Sequence, residues 1–314
     1  MSLSGGLDVR DVAIICGPTA AGKSAIAMAL AARTGALLIS ADSRQIYRRF
    51  DIGTAKPSLA DRAAVSHWGI DVAAPTERYS AALWVAGATE VMQDALHREQ
   101  PVIIVGGTGF YLRVLEEPLF ASPPMDPVKR AAVLTALETE TTEALRERCR
   151  ATDPLRAELG RTQLLRALET YELTGRPLSA WLTERARPAE VRAHYLVVDP
   201  GATLRDRIAS RVHSMLANGW EAEVAQLALE FPGDAPAWKA CGYAMLRSAL
   251  DGDVARSAAI ERIIIDTRQY AKRQRTWFRH QLPAGRVTAL NPDAPEASDC
   301  AQSWLDAVSL TEHL

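Results

Sequence analysis

The chain of 314 residues predicts an α/β protein: a P-loop NTPase-like core built on a parallel sheet, with an inserted all-helical subdomain. Three observations predict this class. Val12-Ala-Ile-Ile-Cys16 is an unbroken apolar run, as a strand buried on both faces requires, and it leads directly into Gly17-Pro-Thr-Ala-Ala-Gly22-Lys23-Ser24. Buried strands and helical patterns then alternate up to Gly109, an order that closes through right-handed crossovers into parallel strands. From Glu117 onward Pro118, Pro123, Pro124 and Pro127 break the pattern, and only helical periodicity follows until Tyr195-Leu-Val-Val198 restores a strand. The expected organisation is a first part of the core over 8–117, a helical insertion over 118–192, and completion of the core over 193–314.

Each element carries its own signal. Gly17, Pro18, Thr19, Ala20, Ala21, Gly22, Lys23 and Ser24 form a P-loop. Its backbone N–H groups and the helix N-terminus behind it bind phosphates, Lys23 neutralises their charge, and the Ser24 hydroxyl reaches Mg²⁺. The motif stands between a strand and a helix, so the chain is expected to bind a polyphosphate. Ser24 to Thr34 is helical and Gly35 stops it, while Ala36 to Ser40 reads as a short buried strand. Asp42 stands just past that strand. Ser80 caps a helix reaching His97, and Pro101 to Val105 is another buried strand, followed by Gly106-Gly-Thr-Gly109. Ligands of an open parallel sheet lie at the carboxyl ends of its strands, so the P-loop, Asp42 and Thr108 should share one crevice. Further helices are expected from Thr203 to Asn218-Gly219, from Trp220, from about Ala237, and from Asp253 to about Leu282. The last would reach about 45 Å at 1.5 Å per residue.

Composition narrows the function. The chain is 48% apolar, enough for a sizeable core, and its formal net charge of -2 excludes a protein that is basic all over. Any RNA contact must use a local patch. Cys16, Cys149, Cys241 and Cys300 show no CxxC spacing, which argues against a zinc site or a disulfide framework. No apolar signal core is visible and no run approaches the roughly 18 apolar residues of a membrane span. A soluble, cytoplasmic, monomeric protein is expected.

The long C-terminal helix is sided. Arg268, Lys272, Arg275 and Arg279 stack on one face, while Ile263, Tyr270 and Trp277 repeat by sevens on another. Cations beside Trp277 and Phe278 suit RNA, although an ordinary solvated face carries the same spacing. A hydrolytic P-loop protein would end a neighbouring strand in an acid, but the strand at 102–105 runs into Gly-Gly-Thr. Asp42 is placed either as a general base or as the N-cap of a short helix over Ser43 to Tyr47. A small-molecule kinase, with Arg156, Arg161 and Arg166 as its lid, fits these features as well.

A longer series of motifs separates these readings. Asp42-Ser-Arg-Gln-Ile-Tyr47, Asp51-Ile-Gly-Thr-Ala-Lys-Pro57, Gly106-Gly-Thr-Gly-Phe-Tyr111, Arg166-Ala-Leu-Glu169, Tyr171-Glu-Leu-Thr-Gly-Arg-Pro177, Gly219 to Val224, Gly242-Tyr243 and Lys272-Arg-Gln-Arg-Thr-Trp-Phe-Arg279 occur in order. With the P-loop ahead of it, this series resembles the tRNA dimethylallyltransferase family over most of residues 12–280. The resemblance implies transfer of a dimethylallyl group from dimethylallyl diphosphate to N6 of adenine 37 in tRNA, with Mg²⁺ present and pyrophosphate leaving. The atom attacked is then carbon, in keeping with the missing hydrolytic acid.

The same resemblance implies that Asp42 accepts the N6 proton, that Thr108 lines the reaction channel, and that Arg207, with Arg211 as the alternative, stabilises the departing pyrophosphate. The adenine must be flipped out of its stack. Ser43, Arg44 and Gln45 would meet its neighbours, and Lys272, Arg273, Gln274, Arg275, Trp277 and Arg279 would hold the anticodon stem-loop. Gly242, Tyr243, Arg130, Gln163, Arg166 and Lys239 are further implied tRNA contacts. Two departures stand out. His67-Trp-Gly-Ile-Asp71 keeps one histidine where the family often has two, and His67 reads as a turn histidine. Thr162-Gln163-Leu164-Leu165 lacks a cation found before Arg166, which leaves Arg161 to supply it. The alternatives are a small-molecule or nucleotide kinase and an isopentenyltransferase acting on free adenine nucleotides. The latter would not need the inserted helices and the basic helix together.

Overall fold

Parallel strands bring the chemistry-bearing loops out at one edge of a sheet. The computed structural model describes residues 10–117, 126–184 and 191–311. Six strands, β1 (Arg10–Cys16), β2 (Leu37–Ser40), β3 (His67–Trp68), β4 (Val102–Gly106), β5 (Val191–Val198) and β6 (Val287–Leu290), pair in the order β3-β2-β4-β1-β5-β6, all parallel. Cys16 is level with Gly106 and Val197, and Ser40 is level with Val105. The P-loop, Asp42 and Thr108 therefore emerge side by side at the carboxyl edge, where ligands of such sheets bind.

β1 and β2 are buried almost end to end because helices cover the sheet. α1 (Lys23–Thr34) and α13 (Ala297–Thr311) pack Leu30, Trp304 and Leu305 against Ile15, Leu38 and Ile103. α2 (Leu59–Ala64) is a short capped helix. α3 (Ala81–His97) and α4 (Gly109–Glu116) meet through Trp84 and Tyr111, stacked with centroids 4.8 Å apart. The Trp84 indole also donates to the Ser40 carbonyl at 2.9 Å.

The chain divides into two compact units, Met1–Glu116 with Glu190–Leu314, and Glu117–Ala189. The second unit holds α5 (Pro127–Glu138), α6 (Thr142–Thr152), α7 (Arg161–Thr174) and α8 (Leu178–Glu184) around Leu145, Cys149, Leu164 and Leu168. The first unit continues with α9 (Leu204–Ala217), α10 (Trp220–Glu230), α11 (Tyr243–Leu250) and α12 (Arg256–Gln281). These helices build a separate core, in which Trp220, Val224, Tyr243 and Ile263 enclose Ile46, Tyr47 and Phe50 from the loop after β2.

Several elements differ from the sequence expectation. β3 is only two residues long and β6, at the sheet edge, has two of its four residues exposed, so neither has the apolar run that marks a buried strand. α4 and α13 were likewise not anticipated. Where a helix was expected from about Ala237, a 3-10 turn spans Pro236–Lys239 and α11 starts only at Tyr243, after Gly242 at φ +90°. α12 begins at Arg256, and its 26 residues span about 39 Å. Pro118, Pro123 and Pro124 lie outside the described residues. Among the described residues, no helix is long and apolar enough to cross a membrane.

Candidate active site

The P-loop is shaped to receive phosphate oxygens. Gly17 has φ +143°, and a Cβ on it would lie 2.2 Å from the Val198 carbonyl oxygen, so only glycine lets the loop leave β1 beside β5. The N–H groups of Ala20, Gly22, Lys23 and Ser24 have no acceptor among the described residues. Together they form an anion-binding nest at the start of α1. Two other N–H groups are already used: that of Ala21 donates to the Pro18 carbonyl at 3.3 Å and that of Thr19 to Gln274 Oε1 at 2.8 Å. The backbone of Thr19 is thus not part of the cradle, a correction to its expected role, because a buried side chain takes its donor.

Lys23 folds back over the loop, its ammonium 2.6 Å from the Pro18 carbonyl. Burial, then the Arg211 cation, lower its pKa to about 8, while Asp42 and Cys16 oppose the shift. Arg211 is also held below its ordinary value by burial, and Asp42 opposes this. It makes no side-chain hydrogen bond or ion pair among the described residues. Arg207 instead pairs with Asp293, and its guanidinium lies 3.4 Å from where a Gly22 Cβ would stand. Both arginines line a cleft of about 990 Å³ together with Lys56, Ser210 and Ser214. Arg207 therefore sits against the P-loop with a partner, whereas Arg211 faces Lys23 and Asp42 without one.

Asp42 has one oxygen committed and one uncommitted. Its Oδ1 accepts the Arg44 N–H at 2.8 Å and so caps a tight turn, which takes the place of the short helix expected over Ser43 to Tyr47. Its Oδ2 has no hydrogen-bond partner among the described residues. Thr108 ties this turn to the end of β4: its hydroxyl accepts the Ser43 N–H at 3.0 Å and its own N–H donates to the Ala41 carbonyl at 3.1 Å. Burial raises the Tyr111 and Tyr270 phenols, and the nearby Asp42 charge adds to both shifts, so they remain neutral around the carboxylate.

Residues implied as tRNA contacts separate into two groups. Lys239, Lys272, Arg273 and Arg279 are exposed, as are Gln163 and Arg166 on the separate helical unit. Ser43 and Arg44 are half-buried beside Asp42, and the half-buried Trp277 ring lies over Gly109. Arg130 is partly committed, since it pairs with the buried Glu169 at 2.5 Å.

The other group faces inward. Gln274 is 7% exposed, and its amide accepts from Thr19 and donates to the Gly107 carbonyl at 2.8 Å. Arg275 binds both carboxylate oxygens of Asp199 and the Gly201 carbonyl. Gln45 accepts from Ser40 and donates to the Thr54 and Ala55 carbonyls. Tyr243 is fully buried with its hydroxyl on Glu223 at 2.5 Å, and a Cβ on Gly242 would meet the Trp220 ring at 2.3 Å. Arg161 donates to the Glu140 and Glu138 carbonyls at 2.8 and 3.0 Å. These six residues are corrections to the RNA-facing set: each has its polar groups or its space occupied by the chain itself. The basic stripe of α12 is accordingly split, because its buried face runs through Ala259, Ile263, Ala271, Gln274 and Phe278.

Other positions gained roles that spacing did not reveal. The Lys56 ammonium is buried and donates to the Tyr47 carbonyl, Asp51 and Asp71 at 2.6, 2.6 and 2.5 Å. Glu223 accepts the N–H groups of Asp51 and Ile52 at 3.1 and 2.8 Å. The Asp51 to Pro57, Gly219 to Val224 and Gly242-Tyr243 motifs thus act together to hold the Asp42 turn in place. Their only signal in the sequence is membership of the motif series that resembles the family. His67, the first residue of β3, sets Nδ1 2.7 Å from the Val65 carbonyl, a local structural contact.

Comparison with known proteins decides the family. The family model described as IPP transferase matches residues 45–281, about three quarters of the chain. The chain belongs to this family. A second model, described as Isopentenyl transferase, matches residues 10–66. The tRNA dimethylallyltransferase of Stenotrophomonas maltophilia (strain R551-3) is 40% identical over 301 residues, covering 89% of this chain and 93% of that protein. The tRNA dimethylallyltransferase of Gloeobacter violaceus is 41% identical over 281 residues, covering 86% and 90%. Among solved structures, the full-length tRNA isopentenylpyrophosphate transferase of Bacillus halodurans has a TM-score of 0.68 at 30% identity, covering 97% of this chain and 99% of that one. A eukaryotic dimethylallyltransferase acting on tRNA gives a TM-score of 0.81 at 25% identity, covering 96% and 80%. These neighbours share the P-loop core, and membership of the family removes the kinase alternative.

Proposed function

We propose that the chain performs its family's reaction, transfer of a dimethylallyl group from dimethylallyl diphosphate to tRNA, and that the acceptor is N6 of adenine 37 in the anticodon stem-loop. One observation carries the reading: the P-loop and Asp42 emerge together at the carboxyl edge of the sheet, the Lys23, Arg211 and Asp42 charges act on one another there, and Asp42 Oδ2 has no hydrogen-bond partner among the described residues. The cations and the P-loop N–H groups hold the diphosphate. The N6 lone pair attacks C1 of the dimethylallyl group, the C1–O bond breaks, and pyrophosphate departs with the electron pair. Arg211 and Arg207 stabilise the charge that develops on the leaving oxygens. Asp42 takes the N6 proton. Thr108 keeps the Asp42 turn at a fixed distance from β4.

Mg²⁺ fits this site as a companion of the diphosphate. No group of three or more His, Cys, Asp or Glu side chains forms a metal cage among the described residues. Ser24 is exposed at the start of α1, its hydroxyl without a hydrogen bond among the described residues, suited to an ion whose other ligands are phosphate oxygens and water. The ion would lower the charge of the leaving group. RNA is held by Lys239, Lys272, Arg273, Arg279, Ser43, Arg44 and Trp277, and by Arg130, Gln163 and Arg166 of the helical unit. The chain is proposed to act as a monomer.

The test is incubation with an unmodified anticodon stem-loop, dimethylallyl diphosphate and Mg²⁺, followed by mass spectrometry of the nucleosides. Isopentenyladenosine at position 37 is expected. The match over residues 10–66 lacks both the insertion and α12, so a free adenine nucleotide is the second acceptor to test. Product on that nucleotide and none on RNA would overturn the proposal.

A further inference from the structure

Resting on the proposed reaction, we infer that Gln274 is a positioning residue that couples RNA binding on α12 to diphosphate binding in the P-loop. Its carboxamide directly links the P-loop to the turn after β4. Oε1 accepts the Thr19 N–H of the P-loop at 2.8 Å, and Nε2 donates to the carbonyl of Gly107, the residue before Thr108, at 2.8 Å. A Cβ on Gly107 would lie 2.4 Å from Nε2, so the turn approaches this amide as closely as a backbone can. The contacts reach 255 and 167 residues along the chain. Buried amides of this kind hold their partners firmly, because an unmade bond leaves buried polar atoms unsatisfied.

The neighbours of Gln274 determine what the bridge transmits. Lys272 and Arg273 immediately before it, and Arg279 five residues beyond, are exposed cations that in the proposed reaction meet RNA phosphates. Trp277 lies over Gly109 on the other side of Thr108. A shift or ordering of α12 by RNA therefore acts on Thr19 and on the Gly107–Thr108 turn together. The two loops that must face each other across the reacting carbon are set by one side chain of the RNA-binding helix. Coupling of this kind is reciprocal: if the diphosphate tightens RNA binding by some factor, RNA tightens diphosphate binding by the same factor.

The experiment measures affinity for an anticodon stem-loop with and without saturating inorganic pyrophosphate and Mg²⁺, in the natural protein and in Gln274→Leu. The natural protein should show a ratio of about fivefold or more, the lower range of allosteric coupling, and the variant a ratio near one. A purely structural role would weaken binding yet leave the ratio unchanged, and that result overturns the inference. A ratio near one in the natural protein also overturns it. Hydrogen exchange on the natural protein covers a variant that fails to fold: RNA should slow exchange in the peptide containing the Thr19 amide, and no change there refutes the coupling. Failure of the proposed function gives a different result, since the natural protein would then neither bind the stem-loop nor prenylate it.

Discussion

Diphosphate binding should weaken sharply above pH 8, and Lys23 sets the midpoint. Burial and Arg211 hold this lysine at about 8, well below the value near 10.4 of a free side chain. Roughly 90% of Lys23 is then charged at pH 7, about 10% at pH 9 and about 1% at pH 10. Because the P-loop needs the charged form, affinity for dimethylallyl diphosphate should fall about tenfold per pH unit above 8 and about 100-fold between pH 7 and pH 10. A phosphate ester has its second pKa near 6, so the ligand does not titrate in this window. The assay is calorimetric titration with dimethylallyl diphosphate, without RNA, from pH 6.5 to 10. Arg211→Gln removes the neighbouring cation and should move the break upward, toward the free value. Stability has the opposite sign. Between pH 8 and about 10.5 the unfolded chain binds more protons at Lys23 than the folded one, so the contribution of Lys23 to the unfolding free energy rises with pH. Affinity that stays flat to pH 9.5, or a break unmoved by Arg211→Gln, would refute the argument.

Other expected outcomes follow from the same geometry. Asp42→Asn keeps an acceptor for the Arg44 N–H but loses the base, so single-turnover prenylation should slow by about 10²-fold or more while stem-loop affinity, by filter binding, changes less than about threefold. A loss of Tm without loss of rate would make Asp42 only a cap. Arg211→Ala should lower the rate of the chemical step more than Arg207→Ala does, because Arg211 faces Lys23 and Asp42 while Arg207 is shared with Asp293; equal effects in rapid quench would count against that ranking. Replacing both Lys272 and Arg279 by Ala should reduce the slope of log affinity against log salt by about 1.4 to 1.8. Arg275→Ala should leave that slope alone and instead lower Tm, since its guanidinium is bound to Asp199 and Gly201.

The sequence by itself determined the fold class and the centre of the site. An apolar run entering Gly17 to Ser24, followed by alternating strands and helices, permits one family of parallel sheets, and that topology places Asp42 and Thr108 at the edge where the P-loop emerges. Strands without an apolar run, such as β3 and β6, could not be read because their stability comes from neighbours already in the sheet. What only the tertiary structure decided was the direction in which each side chain faces. Helical spacing says that Arg268, Lys272, Arg275 and Arg279 share a side, but not that Asp199 waits for Arg275 while Lys272 and Arg279 meet water. Likewise, a period cannot show that Gln274 reaches Thr19 across 255 residues, or that Asp293 takes Arg207 while the Arg211 charge acts on Lys23. The physical reason is common to all of these: local spacing depends on backbone geometry, whereas a buried polar atom must find its partner wherever the fold brings one.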